Sequence, residues 1–112
     1  MSYVLIELGG KTRRLKYTYN STCDIEDKAN AGIPELLSEK RIGFSTIRLL
    51  VWGGLKWENR GITIEAVGNM IEQYIDDGGD IAILMGFVAE ALEKSKVLGG
   101  KSEGKTETGA AI

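Results

Sequence analysis

The chain has 112 residues, 43% of them apolar and 27% charged, with a net charge of −2 and no histidine. That is enough apolar material for the core of one domain, and the charge balance argues against a nucleic-acid coat or a polybasic membrane anchor. Cys23 is the only cysteine, which excludes an intrachain disulfide and suits a reducing cytoplasm.

The first residues alternate like a strand. Val4, Ile6 and Leu8 fall on one face of a strand over Tyr3–Leu8, and Leu15, Tyr17 and Tyr19 on one face of a second over Thr12–Tyr19. Gly9-Gly10 between them supplies the positive φ angles of a tight hairpin. Lys11, Arg13, Arg14 and Lys16 place positive charge on the second strand, which discourages edge-to-edge pairing. A start of this kind is not a secretory leader, and no apolar run reaches the ~18 residues of a membrane span.

A helix is expected over Asn20–Ala31, capped by Asn20 or Ser21, with Asp24, Glu26 and Asp27 near its positive end. Thr22, Ile25 and Ala29 are spaced to face the core beside Cys23. Gly32 should stop this helix and Pro34 should start a short one anchored by Leu36 and Leu37. Phe44, Ile47, Leu50, Val51 and Leu55 form the apolar face of a third helix opened by Ser45 and flanked by Trp52 and Trp57. Leu55 stays in phase, so this helix is expected to continue through Gly53-Gly54 despite a cost of about 2 kcal/mol against alanine. Thr63 caps a fourth helix with Ile64, Val67, Ile71 and Tyr74 in one stripe, Met70 and Ile75 beside it, and Gly78-Gly79 at its end. Asp80 caps a fifth, in which Ile81, Leu84, Met85, Val88, Ala91 and Leu92 form a broad apolar stripe. From Gly99 the sequence is small and polar and should be a disordered tail. The expected fold is therefore α+β, mainly α: an N-terminal β-hairpin packed on about five helices, with a domain over residues 1–98 and a flexible polar tail over 99–112.

Charge is divided along the chain. Residues 1–60 hold ten Lys and Arg against seven Asp and Glu, and residues 61–112 hold four against nine. The asymmetry fits steering of a partner or association into a homo-oligomer, and fits a solvated surface equally.

No catalytic apparatus is legible. Without histidine there is no Ser-His or Cys-His pair and no His-containing zinc site, and Cys23 reads as a small core residue. Gly9-Gly10-Lys11-Thr12 lacks the first glycine of a phosphate loop and leads into a strand rather than a helix; Gly99-Gly100-Lys101-Ser102 opens the tail. Asp76, Asp77 and Asp80 lack the ligand spacing of a calcium loop. No catalytic, cofactor or metal residues are assigned, and an enzyme is not expected.

The segments VLIELGGKTRRLKYTYNSTCDIEDKANAGIPELL and WGGLKWENRGITIEAVGNMIEQY resemble phage tail assembly chaperones of the gene transfer agent and siphophage type. The likeness rests on the hairpin ending in Gly-Gly and on Tyr17 to Asn20 leading to Cys23, Ile25, Glu26 and Asp27. It rests also on Leu50, Val51, Trp52, Gly53, Gly54 and Leu55, and on the Ile62–Ala66 segment, and spans roughly residues 3–98. The resemblance implies a non-enzymatic protein of the host bacterial cytoplasm. Such a protein coats the aggregation-prone tape-measure protein, recruits tail-tube subunits during tail morphogenesis and is absent from the finished particle. It further implies, for many members, a longer product of ribosomal frameshifting, in which the tail after Gly99 would tether a second domain. Relatives labelled tail tube or minor tail protein keep a structural tail component as the alternative. A small DNA-binding regulator is the weaker one, because the helices here mix signs or are acidic. An apolar helical partner needs a groove with exposed apolar side chains; Phe44, Trp52, Leu55, Trp57 and Tyr74 are the candidates, with no nucleic-acid or membrane partner expected.

Overall fold

A computed structural model describes residues 2–38 and 42–96. Strands β1 (Val4–Leu8) and β2 (Lys11–Leu15) form an antiparallel hairpin, followed by helices α1 (Tyr19–Ala29), α2 (Ile33–Leu36), α3 (Phe44–Leu55), α4 (Ile64–Asp76) and α5 (Ile81–Ser95). The fold is the expected α+β arrangement. The tail after Gly99 lies outside the described residues.

Pairing of Val4 with Leu15 and of Leu8 with Lys11 leaves a two-residue loop. Gly9 and Gly10 sit there at φ +65° and +81°, the pair of left-handed conformations that a type I′ turn needs. Val4, Ile6, Leu8 and Leu15 point inward and are buried. The second strand is shorter than its alternation suggests. It ends at Leu15, and although Tyr17 continues the buried set, Tyr19 is already the first helical residue and is 78% exposed.

The cap of α1 is Thr18, not Asn20 or Ser21. The Ser21 amide donates to the Thr18 hydroxyl at 3.1 Å, while the Thr18 amide donates to the Ser21 hydroxyl at 2.9 Å. This reciprocal pair satisfies two amides at once, which a lone Asn20 cap would not. Asp24, Glu26 and Asp27 consequently fall beyond the first turn of α1. The helix also stops earlier than predicted, at Asn30 in the left-handed conformation (φ 54°), and Gly32 instead serves as the N-cap of α2. Glu26 links the two helices, its carboxylate accepting from the Ile33 amide at 2.7 Å. Gly43 rather than Ser45 is the N-cap of α3, whereas Thr63 and Asp80 cap α4 and α5 as their positions predict, accepting from Ala66 and Ala82 amides at 3.0 and 2.8 Å.

Helix α3 is the centre of the molecule, in contact with α1, α4, α5 and β2. It does run through Gly53 and Gly54, and both glycines are buried. Gly53 faces Ile25 of α1, and Gly54 faces Leu15 and Tyr17; a β-carbon would lie 2.2 Å from Ile25 Cδ1 at the first position and 2.3 Å from Leu15 Cδ1 at the second. The helix cost of the glycines thus permits close seating of α1 and the hairpin. The Lys16 amide donates to the Gly54 carbonyl at 2.9 Å, and the Tyr17 hydroxyl to the Leu50 carbonyl at 2.6 Å, tying the chain after β2 to α3. Leu50, Val51, Val67, Val88 and Ala91 are fully buried around this axis. Among the described residues no helix is long and apolar enough to cross a membrane.

Candidate functional site

The first half of α3, the second half of α4 and the start of α5 enclose a groove of about 240 Å³. That is below the ~300–1,000 Å³ of pockets that engulf drug-sized ligands. Its lining is apolar: Ile47 is the buried floor, Ile71 and Ile75 form the α4 wall, Ile81 closes the α5 end and Phe44 stands on the rim. Phe44 is 86% exposed and Ile75 is 48% exposed. Large apolar side chains that face water on the two sides of one hollow are characteristic of a recognition surface. Arg48 lies across Gly68, where a β-carbon would come within 3.2 Å of its Cδ, so the glycine lets the arginine stem rest on α4.

The five residues grouped by sequence do not share one surface. Trp52 and Leu55 belong to the core, at 6% and 3% exposure, and Trp52 Nε1 donates to the Ile62 carbonyl at 3.1 Å. Neither is offered to a partner by the folded domain. Tyr74 is half-buried against Gly79, and its hydroxyl donates to the Asp80 carbonyl at 2.9 Å, so it fastens the turn between α4 and α5. Trp57 lies on the hairpin side. Its Nε1 donates to the Arg14 carbonyl at 2.9 Å, with the Lys16 ammonium 4.9 Å and the Arg14 guanidinium 5.7 Å from the ring. Arg14 also stands 5.6 Å from the Tyr3 ring and pairs with Glu58, whose hydrogen bond and charge raise the Arg14 pKa further. This cluster holds the outer face of the hairpin to the end of α3.

Phe44 alone of the five lines the groove. Sequence reasoning missed Ile75, Ile81, Arg48 and Gly68 as its companions. Ile75 carried a usable signal, since it stands one position off the buried stripe of α4 and directly before Asp76-Asp77.

The polar side chains in the groove lining are Ser45 and Arg48. Among the described residues no group of three or more His, Cys, Asp or Glu is placed to hold a metal ion. Among the described residues the pairing with Glu58 raises the Arg14 pKa and burial pushes the Tyr17 phenol well above its ordinary range, and both effects lie away from the groove lining. No protein-family model, no curated protein and no solved structure matches this chain.

Proposed function

We propose that the protein is a non-enzymatic tail assembly chaperone of a phage, prophage or gene transfer agent. It acts in the host cytoplasm, keeping the tape-measure protein soluble and recruiting tail-tube subunits to it. The observation that carries this reading is the open apolar groove with Phe44 on its rim, in a chain without histidine. A groove of this kind accepts the apolar stripe of an amphipathic helix, whose side chains recur at i, i+3 or i+4, and i+7. The motif resemblance over residues 3–98 supplies the identity of that helix as part of the tape measure.

Co-expression tests the proposal. With the tape-measure protein encoded beside it, the chain should raise that protein's soluble fraction without ATP, and Phe44→Asp should weaken the effect while the chaperone stays folded. A soluble fraction unchanged by well-folded wild-type protein refutes the chaperone reading.

A further inference from the structure

Among the described residues Arg48 is the one charged side chain that lines the groove. It follows Phe44 by one turn of α3, so the rim aromatic and the guanidinium are neighbours on one face and meet the same occupant. The opposite wall makes room for it. Gly68 of α4 has no side chain, and a β-carbon there would lie 3.2 Å from Arg48 Cδ and 3.8 Å from its Nη1. The arginine thus reaches from α3 to α4 beside the apolar hollow. It nevertheless forms no ion pair among the described residues. Glu65 and Glu72 flank Gly68 on α4, one turn before and one turn after it, and neither of these exposed acids pairs with it.

A wholly apolar helix laid into this groove strips water from the cation and returns no hydrogen bond, which costs affinity. A helix that brings a carboxylate replaces the lost hydration with a charge-assisted pair, for which the guanidinium fork is suited. We infer that the groove selects helices carrying an acidic residue one turn from the apolar side chain that meets Phe44. The inference rests on the reading of the groove as a helix site and adds the chemistry of the ligand: an apolar stripe with Asp or Glu on its flank. The preference is local. The chain as a whole has a net charge of −2, so its overall field does not attract acidic ligands. A carboxylate on the far side of the ligand helix therefore gains nothing.

Fluorescence anisotropy with labelled synthetic peptides tests the inference on the full chain. The peptides are amphipathic helices with one Leu stripe at i, i+4 and i+7. One set carries a single Glu on the flank of the stripe, one turn before or after the central Leu. A second has the same composition with the Glu moved to the opposite face, and a third has Lys in place of the flanking Glu. The tightest flanking-Glu peptide should bind about fivefold more tightly than its opposite-face isomer and about tenfold more tightly than the Lys peptide. Arg48→Gln should level these affinities, Arg48→Glu should turn the preference toward Lys, and Arg48→Lys should keep part of the Glu preference. Circular dichroism and melting should be unchanged in all three variants, because the side chain is exposed. Equal binding of the two Glu isomers, or a preference that survives Arg48→Gln, overturns the inference and leaves the groove a helix site. Failure of every peptide to bind overturns the inference together with the groove as a helix site. A Glu preference that follows Arg48, beside an unchanged tape-measure solubility, upholds the inference and overturns the chaperone reading alone.

Discussion

Replacing Gly54 by alanine tests how the hairpin is seated on α3. In an open helix the change would stabilise by about 1 kcal/mol, because alanine loses less backbone freedom than glycine. Here the new β-carbon would lie 2.3 Å from Leu15 Cδ1, 2.9 Å from Leu15 Cγ and 3.0 Å from Tyr17 Cζ. Carbon atoms in contact sit about 3.5–4.0 Å apart, so the nearest must retreat by more than an ångström. Neither neighbour has room, since Leu15 is 0% and Tyr17 2% exposed. The backbone cannot step back cheaply either, because the Lys16 amide and the Tyr17 hydroxyl are both bonded to α3 carbonyls. Overpacking of this kind costs about 1–3 kcal/mol, and three close atoms place it at the upper end. With the helix gain subtracted, Gly54→Ala should lose about 1–2 kcal/mol, or roughly 4–8 °C of melting temperature for each kcal/mol. Gly86→Ala is the control: it lies on the exposed side of α5 with no atom within 4 Å of a new β-carbon, and it should gain about 1 kcal/mol. Urea and thermal denaturation read both. In a Leu15→Ala background the penalty at Gly54 should shrink, giving a coupling energy in a double-mutant cycle. A Gly54→Ala protein as stable as wild type refutes the close-seating argument.

Burial raises the Tyr17 pKa in the folded protein. The unfolded phenol titrates near ~10 and releases its proton while the folded one keeps it, so the unfolded state binds fewer protons above that pH. Stability is therefore complete below pH ~10 and should fall by about 1.4 kcal/mol per pH unit above it. Tyr17→Phe should flatten this alkaline slope relative to wild type, at a cost near neutrality of about 0.5–1.5 kcal/mol for the bond to Leu50; an unaltered slope in the variant would show that other groups govern alkaline unfolding. Leu84 is 1% exposed on the inward side of α5, and Leu84→Ala should cost about 2–5 kcal/mol by denaturant titration. An unchanged midpoint would mean that this face of α5 is not part of the cooperative core.

Local features determine most of the secondary structure independently of tertiary contacts. A period of two over Val4–Leu8 has only one folded reading, and Gly9-Gly10 is the natural pair for the two-residue turn that follows. Thr63 and Asp80 cap their helices because each directly precedes a long apolar period and offers a side-chain oxygen to the first free amides. Where several cap formers stand in a row, at Thr18, Asn20, Ser21 and Thr22, composition leaves the choice open. The seating of Tyr17 on Leu50 and the reciprocal Thr18–Ser21 bonds decide it.

Core and surface among the large apolar residues were decided only by the tertiary structure. Phe44 and Leu55 lie on the same predicted face of one helix, yet one is 86% and the other 3% exposed. Helical spacing gives the direction of a side chain around the axis; it does not say how far along the axis a covering element extends. The end of α3 is covered by the hairpin and α1, which close on Gly53 and Gly54. Its first turn borders the open groove instead, and Phe44 remains in water. Ile75 shows the same effect from α4, where a residue beside the buried stripe becomes a groove wall because α3 and the start of α5 stop short of covering it. Sequence could therefore give the elements and their apolar faces, but the lengths and offsets of packed neighbours determined which of those faces stayed open.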